Sequence, residues 1–324
     1  MYYFTKKGEK VRAVDEVSLK INRNESLALI GESGCGKSTL ACSILRLLPL
    51  NAKVIKGQII FQGKIDLIKA KENILRQIRF KKISMIFQGA MNMLNPVMKI
   101  EDQIAEVITL HENVAKKEAI QEAKKLLEMV GIPSHRGKDY PHQLSGGQKQ
   151  RVCIAMAVAL KPDLIIADEP FTALDVMIQA QLIELLNKIR KLTGSSLIFI
   201  THDIHVVREL CEKIAVMYAG KIVEYGDLNS VVKSPLHPYT EALLRAIPTI
   251  DGPIIKPRSI HGSPPSLANP PPGCRFHPRC PYRFDHCYKR MPQLIRVEKE
   301  HYAACHLLAG GRNYAKQRTP NSSS

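Results

Sequence analysis

The apolar positions of this 324-residue chain fall into short runs of strand length and longer stretches of helical spacing. Alternating or continuous apolar residues predict strands at 11–31, 54–62, 83–88, 163–168 and 196–201. Apolar spacing of three and four residues predicts helices from Lys37 onward, over 100–130, over 147–160 and between the last two strands. This alternation predicts an α/β fold: a parallel sheet flanked by helices, with a helical subdomain inserted at about 89–160.

A change of composition after residue 247 divides the chain into two predicted parts. Residues 248–273 are rich in Pro, Gly and Ser and predict an extended linker. Four of the eight cysteines follow the linker, and the last residues form a polar tail that we expect to be disordered. The sequence therefore predicts one domain over 1–250 and a C-terminal region over 251–324.

A glycine-rich loop lies between a predicted strand and a predicted helix, where residues 31–39 have the sequence GESGCGKST. Glycines let backbone N–H groups turn toward phosphate oxygens, and the N-terminus of the following helix adds further donors. Lys37 is expected to reach the β- and γ-phosphates of ATP, and Ser38 to ligate Mg²⁺. The residues expected to bind ATP in this loop are Gly31, Ser33, Gly34, Cys35, Gly36, Lys37, Ser38 and Thr39.

An acidic pair follows the apolar run LIIA at 164–167. Open α/β sheets bind their ligands beyond the carboxyl ends of the strands, where Asp168 and Glu169 are predicted to lie. Asp168 suits Mg²⁺, bound directly or through water, and Glu169 could take a proton from the attacking water. The loop and the acidic pair together predict ATP hydrolysis.

Further motifs follow in an order that resembles the ATP-binding-cassette (ABC) family. Gln88 ends the segment SMIFQ, LSGGQ occupies 144–148, ALD occupies 173–175, and His202 follows LIFIT. The resemblance covers nearly all of residues 1–250. It implies a P-loop NTPase cassette with a RecA-like core, an antiparallel β subdomain and the inserted helical subdomain.

The resemblance also implies roles within a pair of cassettes. One cassette is expected to bind the γ-phosphate held by its partner, so that two cassettes enclose two ATP molecules, and Asp175 is expected at the seam between them. The residues expected to bind this phosphate in trans are Ser145, Gly146, Gly147 and Gln148. A hydroxyl, glycine N–H groups and a helix N-terminus form a second site for an anion.

Within its own cassette, each remaining motif residue has an implied role. His202 should contact the γ-phosphate and hold the attacking water together with Glu169, and Lys37 completes the catalytic set. Gln88 should sense Mg²⁺ and water and lie beside the membrane partner. An aromatic residue near the start should stack on adenine, for which Phe4 is the expectation, with Tyr3 next to it.

Two C-terminal segments resemble the dipeptide and oligopeptide importer ATPases of that family: SPLHPYTEALL at 234–244, and GCRFHPRCPYRFDHC with Cys305. The spacing Cys-x5-Cys-x6-Cys-x17-Cys lacks the close pairs of zinc ribbons. Four converging thiolates suit a [4Fe–4S] cluster or Zn²⁺, and the resemblance favours iron–sulfur. A mixed zinc site with nearby histidines stays open. The expected thiolate ligands are Cys274, Cys280, Cys287 and Cys305; the histidines are His277, His286, His301 and His306.

Composition and charge bear on the partners and the location. The formal net charge is +17, and residues 251–324 carry 12 Lys and Arg against 4 Asp and Glu. This balance favours phosphate-rich partners or an anionic membrane surface, and a solubilising surface accounts for it equally well. No apolar run approaches the ~20 residues of a membrane span, and the N-terminus lacks a signal-peptide core. We therefore expect a soluble protein in the cytosol.

Together these features predict the ATP-hydrolysing subunit of a bacterial-type dipeptide or oligopeptide importer, peripheral on the cytoplasmic face of the cell membrane. The expected cofactors are ATP, Mg²⁺ and the metal cluster. The expected partners are a second, different cassette ATPase, two transmembrane permease subunits and, indirectly, an external peptide-binding protein. Three alternatives remain: import of nickel or another solute, a soluble cassette ATPase acting on nucleic acid, and a redox-sensing regulator. Nucleic acid is not an expected partner, because the chain has one cassette and no coiled-coil insertion.

Overall fold

Short apolar runs become the strands of the computed structural model, which describes residues 1–4, 9–172, 174–246 and 260–308. The strands are β1 (Tyr2–Phe4), β2 (Lys10–Val11), β3 (Ser26–Ile30), β4 (Ala52–Lys53), β5 (Ile60–Phe61), β6 (Ile65–Asp66), β7 (Ile83–Ile86), β8 (Leu164–Asp168), β9 (Ser196–Ile200), β10 (Lys213–Tyr218), β11 (Lys221–Asp227), β12 (Ile295–Glu298) and β13 (His301–Ala303).

Helices occupy the segments with helical spacing and several shorter ones. They are α1 (Lys37–Ile44), α2 (Glu72–Ile78), α3 (Ile100–His111), α4 (Lys116–Met129), α5 (Gly146–Val158), α6 (Val176–Thr193), α7 (Ile204–Leu210), α8 (Leu228–Lys233), α9 (Pro238–Arg245) and α10 (Asp285–Lys289). Single 3₁₀ turns cover Ala90–Asn92, Ser134–Lys138, Pro141–Gln143 and His277–Arg279. No helix in the described part of the chain combines the length and the apolar character needed to cross a membrane.

The backbone divides into two units. The first contains Met1–Lys20, Leu27–Gly57 and the described part of Thr201–Ser324. The second contains Ile21–Ser26 and Gln58–Ile200. The glycine loop and His202 therefore belong to the first unit, and the acidic pair, Gln88 and LSGGQ belong to the second.

The first unit contains a sheet in the order β12-β13-β11-β10-β3. β3 and β10 pair in parallel, with Leu27 opposite Lys213 and Ile30 opposite Val216, whereas the remaining pairs are antiparallel. All five residues of β3 are buried, as are five of the six in β10, because both faces of these strands are covered. A separate antiparallel sheet in the order β2-β1-β4 contains the first residues of the chain.

The second unit contains the parallel strands β7, β8 and β9, with β8 in the centre. Helix α6 buries Leu182, Leu186 and Ile189 along one face, at the spacing of an amphipathic helix. Helices α3, α4 and α5 lie between β7 and β8 in sequence, as predicted for the inserted helices. Beyond these elements, β5 and β6 form a two-residue antiparallel pair.

Two of the predicted strands are much shorter than the sequence suggested. Only Ile60–Phe61 of the predicted strand at 54–62 is a strand, because Gly57 takes a positive φ of 113° and breaks the extended chain. The segment 11–31 contains strand only at its two ends, and Glu16 and Asn24 between them have positive φ values of 52° and 60°. The strands expected within 11–31 are thus limited to Lys10–Val11 and Ser26–Ile30, with turns between them.

Candidate nucleotide-binding site

The glycine loop begins where the buried strand β3 ends. Gly31 and Gly36 adopt φ values of 151° and 108°, which favour glycine. A Cβ atom on Gly31 would lie 2.1 Å from the carbonyl oxygen of Met217, and one on Gly36 would lie 2.1 Å from that of Ala13. Both glycines are therefore required for the loop to pack against its own unit.

Lys37 is the first residue of α1, and its side chain folds back over the loop. The residue is 6% exposed, and its Nζ donates hydrogen bonds to the carbonyl oxygens of Gly31, at 2.8 Å, and Glu32, at 3.0 Å. Burial raises the pKa of the neighbouring Cys35 thiol, so this cysteine remains a small neutral residue of the loop. The arrangement places an ammonium group and the N-terminus of α1 at the same loop, and both attract phosphate.

The aromatic residues near the start of the chain lie in β1. The hydroxyl of Tyr3 hydrogen-bonds to Oγ1 of Thr39 in α1 at 3.1 Å. Phe4 exchanges hydrogen bonds with Asn51: its N–H donates to the Asn51 carbonyl oxygen at 2.8 Å, and its carbonyl oxygen accepts from Asn51 Nδ2 at 3.1 Å. Of these two residues, it is therefore Tyr3 whose side chain hydrogen-bonds to α1, whereas the hydrogen bonds of Phe4 to Asn51 come from its backbone.

In the second unit, the acidic pair lies at the carboxyl end of β8, as predicted. Asp168 is 4% exposed. Glu169 has a positive φ of 43°, an uncommon conformation for a residue with a side chain, and its N–H donates to the Ile200 carbonyl oxygen at 2.9 Å. Nε2 of Gln88 donates to Oε2 of Glu169 at 3.0 Å. The two side chains that were expected to act on water are therefore in direct contact.

The LSGGQ motif begins a helix, and its side chains form a capping box. Ser145 is the N-cap of α5: its Oγ accepts from the Gln148 N–H at 3.3 Å, while Oε1 of Gln148 accepts from the Ser145 N–H at 3.0 Å. The Ser145 hydroxyl keeps its own proton to donate elsewhere. A Cβ atom on Gly147 would lie 2.8 Å from Cγ2 of Ile178, so the start of α5 packs closely against α6.

Asp175 and His202 lie at helix starts on the surface. Asp175 is the exposed N-cap of α6, and its Oδ1 accepts from the Ile178 N–H at 2.9 Å. Ala173, which begins the ALD motif, lies outside the described residues. His202 is exposed and precedes α7, in a turn where the Thr201 hydroxyl accepts from the Asp203 N–H at 3.0 Å. Neither side chain is part of a hydrophobic core.

The four C-terminal cysteines lie near one another in the first unit. The Cys274 N–H donates to the Cys287 carbonyl oxygen at 2.9 Å. Burial, with a smaller contribution from charge on the neighbouring cysteines, raises the pKa of Cys274 to about 11 and the pKa values of Cys280 and Cys305 to about 12. In the described residues, however, no group of three or more His, Cys, Asp or Glu side chains converges as a metal site would require. The described residues therefore contain no assembled metal site, and the structure does not support the predicted metal-cluster region.

Comparisons with known proteins identify the family of this chain. Residues 14–172 match the family model described as "ABC transporter", and residues 223–287 match "Oligopeptide/dipeptide transporter, C-terminal region". The dipeptide transport ATP-binding protein DppD of Caldanaerobacter subterraneus is 43% identical over 96% of this chain and 95% of its own length. The chain belongs to the ATP-binding subunits of ABC transporters. It is therefore an ATPase with the cassette form of the P-loop NTPase fold.

Two further similar proteins support the assignment. The oligopeptide transport ATP-binding protein AppD of Bacillus subtilis is 46% identical, with 94% of each chain covered. A dimeric ATP-binding cassette, solved in a post-hydrolysis state with ADP and Pi, is 30% identical to this chain and has a TM-score of 0.62. That similarity covers 70% of this chain and 95% of the solved cassette.

Membership in the ABC family implies Mg²⁺ beside the nucleotide, and the donors present suit that ion. Ser38 in the first unit, and Gln88 and Asp168 in the second, carry hydroxyl, amide and carboxylate oxygens, the kind of hard oxygen atom that Mg²⁺ prefers. Sequence reasoning did not identify the contacts that the loop residue Glu32 makes with Tyr239 and Arg279. No local pattern could reveal them, since 207 and 247 residues separate the bonded partners.

Proposed function

We propose that this chain is the ATP-hydrolysing subunit of a membrane importer of dipeptides or oligopeptides, bound to the cytoplasmic face of the membrane. The match of residues 223–287 to the oligopeptide and dipeptide transporter C-terminal region is the observation that carries this proposal. The two relatives above are named for dipeptide and oligopeptide transport, and both are covered almost in full. The functional organisation is a cassette over 1–250 followed by a C-terminal region.

The catalytic roles are part of the same proposal. Lys37 binds the β- and γ-phosphates, and Ser38 and Asp168 hold Mg²⁺. Glu169 accepts a proton from the attacking water, and His202 contacts the γ-phosphate. The hydrogen bond from Gln88 to Glu169 supports this assignment, because a carboxylate that accepts an amide N–H has a fixed direction from which to act on water.

The second half of each site comes from a partner cassette. The capping box at Ser145 prepares a helix N-terminus that suits an anion, and Asp175 caps the adjoining helix. A solved cassette of similar fold is dimeric and carries ADP and Pi. In the assembled importer the partner is a second, different ATPase chain, so the complex contains a heterodimer.

A groove in the second unit suits a cytoplasmic segment of a permease subunit. It has a volume of about 540 Å³ and contains acidic, basic and apolar side chains, among them Val97, Lys99, Asp102, Glu106 and Tyr140. Val97 is 79% exposed and Met93 nearby is 65% exposed, although large apolar side chains are usually covered. We propose that two permease subunits bind here, one on each cassette, a few residues after Gln88 in sequence.

We also propose a [4Fe–4S] cluster, with Zn²⁺ as the alternative, and two observations support it. The expected ligands are Cys274, Cys280, Cys287 and Cys305. The four thiols influence one another electrostatically, and a backbone hydrogen bond joins the segments of Cys274 and Cys287. Binding would require the buried thiols to ionise and move closer together. Iron and sulfide analysis of anaerobically purified protein tests the cluster. Stoichiometric zinc in a colourless protein would exclude iron–sulfur.

Peptide uptake tests the proposed function. The chain is produced with the permease genes that neighbour its own gene in a strain without peptide importers, and uptake of labelled dipeptides and longer peptides is measured. The Lys37→Ala variant, which loses the phosphate-binding ammonium group, serves as the inactive control. Peptide uptake that depends on Lys37 is expected. Lys37-dependent uptake of nickel alone would favour the alternative substrate, and ATPase activity stimulated by DNA or RNA without membranes would favour the nucleic-acid alternative.

A further inference from the structure

One residue of the glycine loop, Glu32, is held on three sides by its own unit. Its two carboxylate oxygens accept from Nη2 and Nη1 of Arg279, at 2.9 and 2.7 Å. Its N–H donates to the hydroxyl of Tyr239 at 2.8 Å. Its carbonyl oxygen accepts from Nζ of Lys37 at 3.0 Å. The C-terminal region thus makes a two-pronged ion pair with the phosphate loop.

Arg279 is itself fixed in place. Its Nε donates to the carbonyl oxygen of His261 at 2.8 Å, and Nη1 donates to the Tyr218 hydroxyl at 3.3 Å. The guanidinium lies 5.8 Å from the centre of the Tyr218 ring, and the side chain is 5% exposed. A planar group that is held this way makes paired hydrogen bonds with little further loss of side-chain freedom.

The contacts rest on a rigid aromatic cluster. Tyr218, Tyr239 and Phe276 are each at most 2% exposed, and their ring centres lie 4.5 to 5.4 Å apart. They come from β10, α9 and the segment that leads into Arg279. The loop residue is therefore held against a packed core rather than against a mobile surface side chain.

This arrangement affects nucleotide binding in two ways. A phosphate loop that is already ordered loses less conformational entropy when ATP binds. In addition, a carboxylate within the loop repels a triphosphate, and the guanidinium of Arg279 neutralises that charge. We propose that Arg279 is a positioning residue for nucleotide binding, which acts through Glu32 and makes the shape of the phosphate loop depend on the C-terminal cysteine-bearing segment.

Nucleotide affinity of the full-length chain tests the proposal, measured by titration with ATP. Arg279→Gln should raise the Kd for ATP about tenfold, because it leaves the loop carboxylate uncompensated and removes two charge-assisted hydrogen bonds. Glu32→Gln should have a smaller effect, since it removes the charge together with the ion pair. The double variant should therefore resemble Glu32→Gln and bind ATP more tightly than Arg279→Gln alone. In steady-state hydrolysis the KM for ATP should rise while kcat at saturating ATP is retained.

Arg283→Gln is the matched control. Its guanidinium donates to the carbonyl oxygen of Pro278 in the same region and is exposed, so ATP affinity should stay within about twofold of the unaltered chain. Arg279→Lys keeps the positive charge and should bind ATP with a Kd between those of the unaltered chain and Arg279→Gln. If Arg279→Gln does not fold, the Kd of Arg279→Lys tests the proposal instead. Folded variants with unaltered ATP affinity, or losses from Glu32→Gln and Arg279→Gln that simply add, would show that the ion pair is only structural.

Discussion

Glu169 and Gln88 make the contact on which the proposed chemistry depends. Glu169→Gln retains an oxygen that can accept from Gln88 Nε2, so the geometry of the pair should survive. The amide cannot take a proton from water, and we expect hydrolysis to fall by about 10²-fold or more while ATP affinity is kept. Single-turnover hydrolysis and ATP titration measure the two effects. Glu122→Gln in α4, which loses only a surface pair with Lys125, should retain both. Near-normal turnover of Glu169→Gln would mean that another group is the base.

His237 gives a prediction about acid stability. Burial lowers the pKa of this histidine from 6.5 to about 3, and its Nδ1 accepts from the Tyr239 N–H at 3.0 Å as the N-cap of α9. The unfolded chain therefore binds a proton below pH 6.5 that the folded chain does not bind until near pH 3. Stability is complete above pH 6.5 and should fall by about 1.4 kcal/mol per pH unit below it, from this group alone.

Urea denaturation at a series of pH values measures this effect. His237→Asn keeps a capping side chain but cannot titrate, so its free energy of unfolding should depend less steeply on pH between 6 and 4, roughly by one proton. The exposed His135, replaced by Asn, provides the matched control and should leave the pH dependence unchanged. Equal slopes for the unaltered chain and His237→Asn would contradict the assignment.

The sequence predicted the positions of the glycine loop and the acidic pair because each depends on a local pattern, whereas Ser145 was singled out by the resemblance to the ABC family. Gly31 and Lys37 lie beside a strand end and a helix start, which apolar runs already mark. It could not predict that Arg279 reaches Glu32, since that contact depends on how the chain folds after residue 259. The metal cluster was predicted from residue type, spacing along the chain and a family resemblance, and none of these determines the distances between side chains.

At the scale of elements, the close packing of the start of α5 against α6 explains why the second glycine of LSGGQ, Gly147, is needed. Gly147→Ala would place a Cβ atom 2.8 Å from Cγ2 of Ile178, a methyl group on a β-branched side chain that cannot rotate away easily. We expect a loss of about 1–3 kcal/mol in the free energy of unfolding, despite the better helix propensity of alanine. Thermal unfolding of the isolated chain measures it.

The neighbouring glycine provides the comparison. A Cβ atom on Gly146 would lie 3.5 Å from Leu174 and 3.7 Å from Met91, which are ordinary contacts, so Gly146→Ala should fold with unaltered or higher stability. Ile178→Ala combined with Gly147→Ala should recover part of the loss, because it removes the opposing methyl group. If both glycine variants lost the same stability, close packing against α6 would not be the reason.

Elements with long, regular periodicity were predicted well, and short ones were not. The helices at Ile100–His111 and Lys116–Met129 lie within the predicted helical stretch, and β8 and β9 match their apolar runs within one residue. Strands β1, β2 and β4 have only two or three residues, and hydrogen bonds between distant segments define them, as in the pairing of Tyr3 with both Val11 and Ala52. Alternation within one segment carries no information about such pairing.

At the scale of the whole molecule, the C-terminal region adds strands to a sheet of the first unit. β13 pairs with β11, and the fully buried Glu224 of β11 accepts from Nε2 of His301 at 2.8 Å and from the backbone N–H groups of Leu236 and His237. Three hydrogen-bond donors from two other segments of the chain thus meet at one carboxylate. The C-terminal region has few apolar residues, and it is stabilised by adding β12 and β13 to the sheet that contains β11. The composition of residues 251–324 did not indicate this pairing.

The paired arrangement of cassettes leads to the last prediction, which concerns two copies of the chain. Lys37→Ala damages the phosphate loop, which serves the ATP site of the same chain. Ser145→Arg, at an exposed position, blocks the start of α5, which serves the ATP site of the partner chain. Each variant alone should hydrolyse little ATP at concentrations where the isolated chain dimerises. In an equal mixture, half of the dimers pair one Lys37→Ala chain with one Ser145→Arg chain. In each of these dimers, one of the two ATP sites carries neither substitution, and the other carries both. About a quarter of the activity of the unaltered chain should therefore return on mixing, for a symmetric dimer with two shared sites. Activity that stays at the level of the separate variants would show that each chain completes its site alone or that identical chains do not pair.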